Sequence, residues 1–195
     1  MYFNVERHPL MWVRHLLLNY DPYYCKLDFS RYVYEPRVMK DSRFIFPYSA
    51  GELNKSFLLG IVENLSPGEE LALHSNVSIK GDLFHIPMVD FGNQKYHGFR
   101  SDIFSEFYQL WGVDFAVFDS GRSFHAYGDR CLSHDEWIQF MGSLLLLNKP
   151  GMPKVIDDRW VGHRLLAGYS ALRWSCNSNF YKKTPEYIGM FSDML

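Results

Sequence analysis

The stretch Asp119-Ser120-Gly121-Arg122-Ser123-Phe124-His125 sits between two short apolar runs, Val113 to Phe118 and Ser123 to Tyr127. Runs of this length bounded by turn residues read as buried strands, and Ser120-Gly121-Arg122 reads as the turn between them. Side chains alternate along a strand, so His125 belongs to one face of the second strand. Such a turn has the chemistry to hold a phosphate. Glycine lets backbone N–H groups approach an anion closely, and Ser120 and Ser123 add hydroxyl donors. Arg122 adds a planar, permanently charged fork and His125 an imidazole. The same residues also describe an ordinary hairpin turn with an interior histidine whose bonds are satisfied.

The flanking sequence places this pair of strands in a larger pattern. Residues 101–111 put Ile103, Phe104, Phe107 and Trp111 on one helical face, with Gly112 as the stop. Before them, residues 70–79 alternate in strand fashion, Lys80-Gly81-Asp82 turns, and Leu83 to Phe91 reads as a second, more apolar strand of a hairpin. Phe57, Leu58, Ile61 and Leu65 recur at helical spacing until Ser66-Pro67-Gly68 ends the helix. On the other side, Ser133 with Glu136 forms a capping box, and Trp137, Phe140, Met141 and Leu144 mark a buried helical face that ends before Pro150. Lys154 to Ile156 then reads as a strand, Asp158 as the cap of a short helix to Ala167, and Ala171 to Ser175 as a strand. Residues 20–50 are dense in Tyr, Phe and Arg without a clear period, and the tail beyond Pro185 carries no readable pattern. The expected fold is α/β (α+β), a mixed or antiparallel central sheet with helices on its faces.

Composition narrows what such a fold can do. At 195 residues and 47% hydrophobic, the chain suits one core, hence a single domain over 1–195. With 20 basic and 22 acidic residues it lacks the general positive field of proteins that bind long duplexes, so any nucleic-acid contact is local. Cys25, Cys131 and Cys176 show no zinc or disulfide spacing, which suggests a reducing cytoplasm. The apolar runs Leu16 to Leu18 and Leu144 to Leu147 are far too short to span a bilayer, so no membrane partner is expected. The tyrosines Tyr20, Tyr23, Tyr24, Tyr32 and Tyr34 suit base stacking or a protein interface, but an aromatic content of 17% means that core packing absorbs most such residues.

Two further clusters carry candidate chemistry. His85-Ile86-Pro87-Met88-Val89-Asp90-Phe91-Gly92 delivers one carboxylate near the end of an apolar strand. Asp90 is either a hard oxygen ligand for Mg²⁺ or Mn²⁺ or an acceptor for backbone N–H groups at the strand end. Asp157 and Asp158 precede the cationic segment holding Arg173, Lys182 and Lys183. If these converge, one acid shares a metal with Asp90 while the cations neutralise phosphate charge. Otherwise they form a helix cap followed by a solvated basic loop.

Strand with Asp90, helix, strand, Ser-Gly-Arg-x-x-His, strand, helix, Asp, then Leu-Arg-x-Ser resembles the succession of three motifs in the archaeo-eukaryotic primase superfamily, which includes primase-polymerases, over about residues 70–183. The segment Ser120 to His125 is similar to the second motif, which binds the triphosphate of the incoming nucleotide. The resemblance therefore implies nucleotide-binding roles for Ser120, Gly121, Arg122, Ser123 and His125. Leu172-Arg173-Trp174-Ser175 resembles the strand after the third motif, adding Arg173 and Lys182 or Lys183 to that set. Asp90 with Asp157 or Asp158 would be the catalytic, metal-binding acids. One departure is plain: the family's first motif has two acids two residues apart, but Met88 and Gly92 flank Asp90 at that spacing. Another is the segment Arg159 to Ser170, read as a helical insertion. The implied activity is nucleotidyl transfer in DNA replication, using Mg²⁺ or Mn²⁺, a nucleoside triphosphate, a single-stranded or primer-template nucleic acid, and a helicase or other protein subunit as a possible associate. The alternative is a catalytically degenerate module that only binds nucleotide or nucleic acid within a larger complex.

Overall fold

A computed structural model describes residues 4–92 and 102–195. Two antiparallel sheets, rather than one central sheet, organise the expected α/β fold. In the first sheet the order is β2 (Phe44–Ser49), β1 (Cys25–Val33), β3 (Glu69–Ile79), β4 (Asp82–His85) and β8 (Leu132–Ser133), with β9 (Ala171–Arg173) also paired to β3. The second sheet runs β10 (Glu186–Met190), β6 (Phe115–Asp119), β7 (Phe124–Gly128) and β5 (Met88–Asp90). The long strand β3 serves both β4 and β9 along one edge, β9 opposite Ala72 to His74 and β4 opposite Asn76 to Ile79.

Pro87 explains why the apolar run from Leu83 to Phe91 is not one strand. Proline has no N–H to donate to a ladder. Here the ladder of β4 stops at His85, Ile86 N donates to Ser75 O at 2.8 Å, and Gly128 N donates to Pro87 O at 2.9 Å. The chain thereby leaves the first sheet and enters the second, where β5 pairs with β7. The aperiodic region 20–50 contains the β1–β2 hairpin, and the unreadable tail contains β10, which pairs with β6.

Four helices follow their sequence signals, α2 (Lys55–Glu63), α3 (Asp102–Trp111), α4 (His134–Leu146) and α5 (Asp158–Ala167), and α1 (Pro9–Leu17) precedes them without having been expected. Both halves of the Ser133–Glu136 capping box form, and Gly112 takes φ +54 after α3, where a side chain would be strained. At α5 the capping residue is Asp157, not Asp158, its Oδ1 accepting from Trp160 N at 3.0 Å. The expected strand at Lys154 to Ile156 is only a single bridge, Ile156 to Phe91.

Two buried apolar clusters fill the interior, one around Leu27, Phe29 and Trp174 and the other around Phe104, Phe115 and Phe140. Trp174 ties the strands together, donating from Nε1 to Tyr127 Oη at 3.0 Å, while its carbonyl lies 2.8 Å from His8 Nε2. Losing a buried aromatic of this kind costs about 3–5 kcal/mol. Among the described residues no helix is long and apolar enough to cross a membrane.

Candidate functional site

The register of the second sheet sets Asp90 directly opposite His125 on neighbouring strands. Directly paired residues share a face. The Asp90 Oδ1 to His125 Nε2 distance is accordingly 3.8 Å. Asp157 arrives by backbone contacts: Gly92 N donates to Val155 O at 2.8 Å and Asp157 N donates to Asp90 O at 3.1 Å. A Cβ on Gly92 would stand 3.3 Å from Asp157 N and Ile156 C. A side chain at Gly92, one of the two positions flanking Asp90, would therefore crowd the backbone of the segment that carries Asp157.

The electrostatics reflect this crowding. Burial, followed by the neighbouring Asp157 charge, pushes the Asp90 carboxyl up to about 8, against the pull of Arg173 and Arg164. Burial and the Arg173 charge hold His125 well below its ordinary value, so the imidazole is neutral, and its Nδ1 is buried without a partner. Two carboxylates forced together and partly dehydrated are a donor set that a divalent cation relieves. Among the described residues no group of three or more His, Cys, Asp or Glu is arranged to hold a metal. Asp90 and Asp157 are the two carboxylates at this point whose oxygens have the chemistry of hard-cation ligands.

These residues line a cleft of about 740 Å³ that also presents Ser120, Arg122, Ser123 and Arg173. That volume is within the range of small-molecule sites. Eight Arg or Lys residues and five Asp or Glu residues line it, so the cleft is locally basic in a chain of net charge −2. The turn is held by its own bonds: Ser120 N and Oγ both donate to Ser123 O, at 2.9 and 2.8 Å, and Gly121 N donates to Asp119 Oδ1 at 2.8 Å. Gly121 has φ +99, and a Cβ there would meet Lys183 Cγ at 3.2 Å. Positive φ and close packing both require glycine at this point.

Other expected site residues are placed differently. Arg173 lines the cleft, yet its guanidinium donates to Ser120 O at 2.8 Å, Lys183 O at 3.1 Å and Ser175 O, and lies 4.0 Å from the Tyr181 ring centroid. Arg173 thus fastens β9 to the 120–123 turn and the 183 loop. Lys183 is committed to Asp119 and Glu186 at 2.9 and 3.0 Å, Lys182 is exposed, and neither lines the cleft. Asp158 lies outside the lining too, paired with Lys154 at 2.5 Å. Of the two residues that could stand in for the absent acid if the chain bends near Gly92, Asn93 lies outside the described residues and Asp82 sits on the β3–β4 hairpin opposite Ile79.

Two buried charged residues, Arg164 at the cleft and Glu70 behind it, were not among the expected site residues. Arg164 is buried on α5 three positions after Val161, within the segment read as an insertion. Its only trace in the sequence is an arginine at an apolar position of the helix repeat. Glu70, fully buried, accepts from Asn177 N, Ser178 N and Ser178 Oγ at 3.0, 2.8 and 2.7 Å and from Ser175 Oγ, fixing the loop beyond Arg173.

A family model described as archaeo-eukaryotic primase 1D-like matches residues 49–186, and the chain belongs to that family. No curated protein and no solved structure gives a match.

Proposed function

We propose that this domain binds a nucleoside triphosphate at the Ser120–His125 turn and transfers its nucleotidyl group to the 3′-hydroxyl of a nucleic-acid strand. The observation that carries the reading is the convergence of Asp90, Asp157 and His125 in one basic cleft. In this reaction the 3′-oxygen bonds to the α-phosphorus, the bond from that phosphorus to the bridging oxygen breaks, pyrophosphate leaves and the hydroxyl proton passes to water. Asp90 and Asp157 would hold Mg²⁺ or Mn²⁺, which would supply charge neutralisation at the phosphates. Neutral His125 offers Nδ1 as a hydrogen-bond partner to the triphosphate, while Arg122 is an exposed cation of the cleft lining. Arg173 positions the turn through Ser120 O.

A second reading, nucleotide or nucleic-acid binding without turnover, is favoured by one feature. With Met88 and Gly92 flanking Asp90 in place of a second acid, two carboxylates remain, where a bridged pair of cations about 3.5–4 Å apart is best served by more. The test is extension of a primer-template by the purified chain with Mg²⁺ or Mn²⁺, alongside nucleotide titration. Transfer is expected in wild type, with loss of at least about 100-fold in Asp90→Ala. Nucleotide affinity without transfer under either metal leaves the binding module, and absence of both affinity and transfer overturns both readings.

A further inference from the structure

The cleft extends past the acids across the face of the first sheet, where a second cluster is left unused by the nucleotide reading. Arg164, 3% exposed, donates through Nη2 to the Asp41 carboxylate. Arg43 donates from Nε to the same oxygen at 2.8 Å and from Nη1 to Ser30 Oγ at 3.2 Å, with its guanidinium 4.1 Å from the Tyr32 ring centroid. Tyr169 flanks Arg164 at 5.7 Å and stacks at 4.1 Å on His74.

Two guanidiniums therefore share one carboxylate, and the cluster keeps a surplus positive charge inside the fold. Arg164 Nε and Nη1 are buried with no hydrogen-bond partner. An arginine does not shed its proton in a protein, and unmet donors on a buried cation are costly. An anion with several acceptor oxygens, matched to a planar fork, would satisfy both nitrogens and cancel the surplus charge. Arg43, Asp41 and Arg164 all line the cleft that holds Asp90, so such an anion would be part of the same bound assembly.

We infer that Arg43 and Arg164 form a second phosphate-binding subsite, held closed in the free protein by Asp41 acting as an internal anion. The phosphate belongs either to the tail of a free nucleotide or to a nucleic-acid strand. The subsite goes beyond the nucleotidyl-transfer reading, because anion binding here needs neither Asp90 nor a metal.

The test is calorimetric titration of the metal-free chain with inorganic phosphate, a nucleoside triphosphate, and a short oligonucleotide with and without a terminal phosphate. Phosphate affinity is expected to fall about tenfold or more in Arg43→Gln and Arg164→Gln. It is expected to rise several-fold in Asp41→Asn, which removes the internal competitor; a merely structural role for Asp41 gives no such gain. If Arg164→Gln fails to fold by circular dichroism, the other two variants decide. A matching loss for the triphosphate assigns the subsite to the nucleotide, and a loss confined to the oligonucleotide assigns it to the strand. Phosphate affinity unchanged in both Arg43→Gln and Asp41→Asn overturns the inference, whatever happens to nucleotidyl transfer.

Discussion

Gly92 is one of the two positions, with Met88, where the resemblance calls for a second acid, and its surroundings leave little room for one. Any Cβ at this position meets the backbone of Ile156 and Asp157 at 3.3 Å, contacts that cannot swing aside as a side-chain tip would. Gly92→Asp is therefore expected to destabilise the protein by about 1–3 kcal/mol instead of completing the metal site. Urea unfolding and transfer activity check this together, and gain of activity at unchanged stability would refute it. Asp90 was legible as a site candidate because an unpaired carboxylate is unusual on an apolar strand. The structural role of Arg173 was not legible, because its partners are main-chain carbonyls of Ser120, Ser175 and Lys183 contributed by separate segments.

At the scale of elements, α5 carries a dual burden at its first turn. Asp157 both caps the helix through Trp160 N and faces Asp90 with its charge. The two roles separate by substitution. Asp157→Asn keeps an oxygen for the cap and is expected to hold stability within about 0.5 kcal/mol, whereas Asp157→Ala loses about 1 kcal/mol of cap energy. Both variants are expected to lose metal-dependent transfer. A thermal-melt comparison checks the first claim and a metal titration of activity the second. Helix signals in this chain were strong because caps and periodic apolar faces are local, as Ser133 with Glu136 illustrates. The edge strands β2 and β10 gave weak signals because half-exposed strands mix polar and aromatic residues, and in β1, an interior strand, the alternation breaks where Phe29 and Ser30 are both buried.

For the whole molecule, buried histidines set the response to acid. Burial, as the leading cause, holds His8 and His74 at about 3 and His85 at about 4, against an ordinary 6.5. In the unfolded chain each would protonate near 6.5 while the folded state resists. Their contribution to stability is therefore fully present above 6.5 and is lost as pH falls toward 4, at about 1.4 kcal/mol per pH unit for each group. The Asp90 carboxyl, at about 8, works in the opposite direction between there and its ordinary 3.8. With His125, which burial also holds well below 6.5, four histidines oppose the Asp90 carboxyl, giving a net loss of stability on acidification below pH 6.5. Urea midpoints from pH 7.5 to 5 measure it. His74→Phe, which keeps a ring against Tyr169 and sacrifices no hydrogen bond of His74, is expected to flatten the slope by about one proton; an unchanged slope would show that His74 does not titrate on unfolding.

The sequence alone determined that the chain is α/β and where α2 to α5 and the β6–β7 turn lie, since propensity and capping are properties of neighbouring residues, and its motif order carried the resemblance to the primase family that the family model also finds. Only the tertiary structure decided that the strands divide into two sheets at Pro87, that Asp157 rather than Asp158 meets Asp90, that Lys182 and Lys183 lie off the cleft, and that Arg43 and Arg164 share Asp41. Those outcomes depend on which distant segments pack against one another, and sequence separation carries no direct measure of that.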